Sequence, residues 1–285
     1  MAKGQRFDRL TANGTGLNET IPQFQEYSPF FGKPMLINPK SDGHVHTRLC
    51  HHASGEMEEY VVAAIDKGLE ELVFLEHLEC GIRYPEATWL TAEEFAAYHC
   101  EGQRLQQVYG DRLRIGLGVE VGYNPRQAAE ILEFLKRYKW DRVGISFHYY
   151  EIDGLHYNVV SRRKANLEPL GRHGVERVIS DYFATLQEAV EVLPGTVLCH
   201  LDAVLRHHPE VHFTEAHQHQ ITEIFQGMLG KGMALEVNTS GFSHRGEQYP
   251  VRSLIDEAVA LGVPLVAGSD AHRPGEVGRF FERLK

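Results

Sequence analysis

Hydrophobic and polar positions along the chain fall into a repeating order from about residue 41 onward. Short, nearly continuous apolar runs alternate with stretches of helical periodicity. The runs are Glu71–His77, Leu113–Tyr123, Arg142–Tyr150, Gly195–Asp202, Ala234–Ser240 and Pro264–His272, and a first strand is expected within Asp42–Thr47. Unbroken apolar character suits parallel strands covered on both faces. Between them, Met57, Tyr60, Val61, Ala64 and Ile65 recur at helical spacing, with Gly68 as a stop. Thr91 and Glu94 form a capping box ahead of Phe95. Further stripes are Ala128–Leu135, Val178–Val190, Ile221–Met228 and Leu254–Leu261, the last stopping at Gly262. Seven strands alternating with helices predict a parallel sheet with helical crossovers. Residues 1–40 show neither period and are expected to be an N-terminal arm, leaving 41–285 as one α/β unit.

An open sheet and a closed barrel both satisfy this order, and the polar residues decide between them. Each run ends in a polar or titratable group. These are His44 and His46, Glu76 and His77, Glu120, His148, His200 and Asp202, Asn238, and Asp270 and His272. At the two distant edges of an open sheet such groups could not meet. In a barrel all carboxyl ends converge on one mouth, where barrel enzymes keep their chemistry. A barrel of seven units is one short of the usual eight, so a distorted or smaller form is expected.

Spacing points to metal chemistry. His44 and His46 lie two apart on an extended segment and face the same side, as do Asp270 and His272. His52 or its neighbour His51 follows in the next loop. Seven imidazoles and two carboxylates suit Zn, Fe or Mn, and exceed what one four-coordinate ion takes. Two or three divalent ions follow, with a carboxylate such as Glu120 bridging. The remaining cluster of His207, His208, His212, His217 and His219 reads as solvated surface.

Composition narrows the partners. The 285 residues carry a formal net charge of −10, which disfavours nucleic acid and anionic membrane as bulk partners. No apolar stretch is long enough for a membrane span or a signal peptide. The scattered Cys50, Cys80, Cys100 and Cys199 contain no C-x-x-C pair and fit a reducing, cytoplasmic setting. A mouth lined by divalent ions is nevertheless locally positive and attracts phosphate, so a small phosphorylated substrate is expected. Arg162 or Arg163, Arg206, Arg245 and Arg273 follow ligand-bearing strands and are candidates for phosphate binding, with Asn238 as a substrate hydrogen-bond partner. Asp270 and His272 are the candidates for proton transfer.

The segments DGHVHT (42–47), EH (76–77), GVEVGY (118–123), SFHY (146–149), CHLD (199–202), EVNTSG (236–241) and GSDAHRPGEVGR (268–279) also carry a family likeness. Together they resemble the polymerase and histidinol phosphatase (PHP) superfamily, and within it the stand-alone histidinol-phosphatases. The resemblance implies a distorted (β/α)7 TIM-like barrel holding three metals. The first would take His44, His46, Glu120 and Asp270, and the second Glu120, His148 and His200. The third would take His52, rather than His51, with His77 and His272. It implies hydrolysis of L-histidinol phosphate. A nucleotide phosphodiesterase or exonuclease of the same superfamily, and a non-catalytic metal module, are the competing readings. Oligomeric state is not legible.

Overall fold

The computed structural model describes residues 37–284. The expected arm over 1–40 falls almost wholly on residues 1–36, outside the described residues. Nine strands occur in the described part: β1 (Ser41–Val45), β2 (Glu71–Glu79), β3 (Arg114–Gly122), β4 (Arg142–Ser146), β5 (Tyr149–Ile152), β6 (Leu155–Asn158), β7 (Val197–Leu198), β8 (Ala234–Asn238) and β9 (Leu265–Gly268). Seven of them form one parallel sheet in the order β1-β2-β3-β4-β7-β8-β9. The two ends of that order meet. Val45 bridges Ala271 in parallel, and the His46 amide donates to the Ala271 carbonyl at 2.9 Å. Asp42 reinforces the seam by accepting the amides of Ser269 (2.9 Å) and Gly278 (2.7 Å). The result is a nearly closed seven-stranded barrel of the (β/α)7 type.

Strand alternation divides the core. Phe74 joins a large cluster with helix residues such as Val61, Phe95, Leu186 and Phe225, whereas Leu75 packs inside with Val197 and Cys199. Because side chains two apart share a face, the interior face of β2 carries Leu75, then His77, then Glu79. The apolar residue plugs the barrel and the titratable ones rise above it at the carboxyl end.

The helices are α1 (Met57–Asp66), α2 (Ala92–Tyr109), α3 (Ala128–Leu135), α4 (Lys164–His173), α5 (Val175–Val192), α6 (Glu215–Lys231) and α7 (Arg252–Leu261). The capping box at Thr91 and Glu94 is realised at the start of α2, and Gly262 ends α7 with a left-handed φ of 91°. Two departures from the sequence pattern matter for the site. The apolar run Arg142–Tyr150 breaks at Phe147–His148, and its last residues turn into an antiparallel hairpin, β5 with β6, that borders the cavity at the mouth. The run Gly195–Asp202 pairs over only two residues, because His200 leaves the sheet with φ 25°.

Candidate active site

Every sequence-predicted metal residue arrives at the same barrel mouth. Glu120 lies at the centre, in register with His77 on β2 and Gly144 on β4. Its Oε1 faces His200 Nε2 at 2.7 Å and His148 Nε2 at 3.3 Å. Its Oε2 faces His77 Nδ1 at 3.0 Å, His44 Nε2 at 3.4 Å and His46 Nε2 at 3.5 Å. One carboxylate thus looks into two nests of nitrogen. Asp270 Oδ1 stands on the far side, 3.4 Å from His46 Nε2 and 3.9 Å from His44 Nε2. His52 and His272 complete the rim with ring centroids 4.6 Å apart, and His46 stacks on His77 at 4.1 Å.

His51 instead points to Glu94 and stays exposed. Asp270 and His200 both adopt positive φ (51° and 25°). Such backbone costs roughly 1–3 kcal/mol each and persists where the surroundings over-determine it, often at functional sites.

The donor set fits divalent cations. His52 Nδ1 lies 2.8 Å from the Cys50 carbonyl and His272 Nδ1 lies 3.0 Å from the Asp270 carbonyl. A carbonyl only accepts, so both Nδ1 atoms carry protons and both Nε2 atoms present lone pairs. Those Nε2 atoms are 2.9 Å apart. His44 and His46 repeat the approach, Nε2 to Nε2 at 2.8 Å. Paired lone pairs repel unless an ion or a proton lies between them. Glu120 Oε2, His46 Nδ1 and His200 Nδ1 are moreover buried without hydrogen-bond partners, which is costly in a closed polar network. Groups able to hold an ion include His44–His46–Asp270, His77–Glu120–His148 and His46–His77–His272.

Electrostatics hold Glu120, His77 and His46 in ligand form, whereas without a metal the carboxylates around His148 favour its protonated form. Burial would raise Glu120, but His148, His44 and His77 hold its carboxyl well below the usual range. Burial drops His77 to about 4 against the pull of Glu120, and drops His46 well below its ordinary value. For His148 burial also acts downward, yet Glu120 and Glu79 outweigh it and raise the ring to about 10.

The predicted substrate residues part company. Arg206 lines the cavity, held by Nε donation to the Val160 carbonyl at 3.1 Å and lying over Tyr249. Arg245 turns to Asp202, Nη1 to Oδ2 at 2.9 Å, and stacks 4.1 Å from the Tyr249 ring centroid. Arg163 is exposed and pairs with Glu86, and Arg162 and Arg273 are exposed too. Asn238 is fully buried, accepting from Ser240 and donating to Glu236.

The outer part of the cavity is lined by Thr88, Tyr149, Asn158 and Val160, none of which the sequence pattern singled out. Three come from the hairpin region and its exit, and Thr88 Oγ1 meets Tyr149 Oη at 2.7 Å. Their only signal was the polar interruption at His148. Two buried carboxylates, Glu79 and Glu236, were also missed; each lies two residues from a noted strand-end residue. The histidine cluster at 207–219 is not uniformly solvated. His217 is buried, with Nε2 2.8 Å from Ser180 Oγ and Nδ1 accepting the Thr214 amide, so it caps α6.

A family model described as PHP domain matches residues 42–240, and one described as PHP-associated matches 255–282. The chain belongs to the PHP domain family. Within this family, the "Probable histidinol-phosphatase" of Deinococcus radiodurans is 33% identical over 249 residues, covering 86% of this chain and 91% of that protein. The histidinol-phosphatase of Bacillus subtilis is 27% identical, covering 85% and 97%. Among solved structures, the histidinol phosphate phosphatase of Lactococcus lactis, complexed with Zn, L-histidinol and phosphate, superposes with a TM-score of 0.67 at 23% identity, covering 86% of this chain and 94% of that one. That likeness bears on the PHP barrel fold. No helix among the described residues is long and apolar enough to cross a membrane.

Proposed function

We propose that this PHP protein is a metal-dependent phosphomonoesterase that hydrolyses L-histidinol phosphate to L-histidinol and phosphate, a reaction of histidine biosynthesis. The observation that carries the reading is the convergence of seven imidazoles with Glu120 and Asp270 at one barrel mouth, with the Nε2 atoms of His44 and His46 and of His52 and His272 brought to 2.8 and 2.9 Å of each other. Relatives named as histidinol-phosphatases along nearly their whole length support the substrate.

His44, His46, Glu120 and Asp270 would hold one divalent ion, His148 and His200 with Glu120 a second, and His52, His77 and His272 a third. Bound Zn, Fe or Mn supplies Lewis acidity toward phosphoryl oxygens and brings the pKa of water toward neutrality. The chain's own residues do the rest. Arg206 is the cavity cation and offers paired N–H donors to phosphate oxygens. Asp270, with a side chain 15% exposed, keeps Oδ1 toward His44 and His46 and offers Oδ2, beside Ser240 Oγ at 3.3 Å, for proton transfer during departure of the alkoxide. His272 is the weaker proton carrier because its Nε2 is turned to His52. Thr88, Tyr149 and Asn158 give the leaving group a neutral, hydrogen-bonding and aromatic wall, suited to a small heteroaromatic alcohol.

Rates on L-histidinol phosphate, a nucleotide monophosphate and a phosphodiester, each with metal-replete protein, test the reading. Preference for the first is expected. Turnover of the diester alone would favour the nucleotide-directed activity, and no turnover at all would favour a metal-binding module.

A further inference from the structure

Beneath the metal-facing histidines lie two carboxylates that the proposed mechanism does not use. Glu79 Oε1 accepts from His148 Nδ1 at 2.8 Å, and Glu236 Oε1 accepts from His44 Nδ1 at 2.6 Å. Both glutamates are buried, at 8% and 1% exposure. Glu236 does more than hold a ring. Its Oε2 accepts the His200 backbone amide at 2.9 Å and the Asn238 side-chain amide at 3.1 Å. It therefore fixes the residue that leaves β7 in a left-handed conformation.

The neighbouring strands make room for them. Glu79 is paired in register with Gly122 on β3, and a Cβ at Gly122 would overlap the Glu79 carboxylate. Gly268 on β9 is paired with Asn238 rather than with Glu236, yet the Glu236 carboxylate reaches over it, so a Cβ there would overlap that carboxylate and lie 2.8 Å from His44 Cβ. Two separate places in the barrel thus share one arrangement of histidine, carboxylate and cross-strand glycine. A carboxylate that is a hydrogen-bond acceptor leaves the proton on Nδ1 and the lone pair on Nε2, the atom turned toward Glu120.

We propose that Glu79 and Glu236 are positioning residues that hold His148 and His44 in the Nδ1–H form and orientation needed to bind metal, and that Gly122 and Gly268 are glycines because they seat these carboxylates. The inference rests on the metal-dependent reading above. Carboxylates hydrogen-bonded to ligating histidines fix tautomer and raise ligand basicity, and their loss costs about 10–100-fold in metal affinity.

Zinc affinity of the folded, metal-free protein, measured by chelator competition, tests this with Glu79→Gln, Glu236→Gln and Gly122→Ala, alongside circular dichroism melts of the metal-free forms. The dissociation constant is expected to rise by about 10–100-fold in each variant. A Glu79→Asp variant is expected to recover part of the loss. Affinity is referred to the folded state, so a role in folding alone would lower the melting temperature and leave the constant unchanged. That outcome, in whichever of the three variants fold, would overturn the proposal. Absence of zinc binding by the wild-type protein would instead overturn the metal-dependent reading itself.

Discussion

His52 and His272 face each other through bare nitrogens, Nε2 to Nε2 at 2.9 Å, while each ring gives its Nδ1 proton to a backbone carbonyl. The contact joins the loop after β1 to the segment after β9, 220 residues apart in the chain. It is favourable only with positive charge between the rings. Binding therefore ties together the two ends of the barrel's strand order.

Metal removal should for that reason destabilise the fold as well as stop catalysis. Ligand binding to the native state alone adds about 2.7 kcal/mol when free ligand is 100 times its dissociation constant. Dialysis against chelator is expected to lower the melting temperature and zinc to restore it. A melting temperature indifferent to both would count against the site.

Asp270→Ala and His44→Ala should each lower bound metal measured by elemental analysis, because both remove an inward ligand atom from the same group. Asp270→Asn keeps the shape and removes the carboxylate that transfers the proton, so turnover is expected to fall about 10²–10⁴-fold. Unchanged stoichiometry in both alanine variants would sink the ligand assignment.

The arginines should separate by readout. Arg206 lines the cavity, and losing a charge-assisted hydrogen bond worth about 1.5–3 kcal/mol should reduce kcat/KM by roughly 10–150-fold in Arg206→Ala. Arg245 is bound to the fully buried Asp202. Arg245→Ala strands that carboxylate and is expected to cost roughly 3 kcal/mol of stability, read by urea denaturation. Arg273→Ala should change neither. Equal loss of kcat/KM in all three, at equal stability, would show that cavity placement is not what matters.

His77 gives a pH signature in metal-free protein. Burial, helped by His148 and His272, pulls it down to about 4 despite Glu120. The folded state then refuses a proton that the unfolded chain accepts below pH ~6.5. Stability present above that pH is lost as pH falls toward 4. Between pH 7 and 5 the wild-type protein should lose about 2 kcal/mol relative to His77→Gln. A shift of the opposite sign would show that the ring is charged in the fold.

Much of the barrel could be read along the chain because it rests on local repeats. Buried parallel strands are apolar on both faces, and the polar residues that interrupt them, such as His77 and Glu120, announce the carboxyl end. The hairpin of β5 and β6 was hidden because Tyr149 and Tyr150 prolong an apolar run. Nothing local distinguishes a strand continuing in the sheet from one folding back over the mouth.

That His44 and His46 share a face was likewise within reach of the sequence, since two-residue spacing on an extended segment fixes it. Asp270, by contrast, reaches the same mouth from a left-handed turn that spacing does not show. Which arginine meets substrate was not within reach. Arg206 and Arg245 follow neighbouring strands with similar spacing, and what separates them is that Asp202 lies where it can bind one of them. The same holds for Glu79 and Glu236, whose meaning depends on a glycine across the strand and a histidine from another element. Periodicity decides the side of a strand on which a residue lies. Only closure of the barrel, with its register and its buried charges, decides what that residue meets.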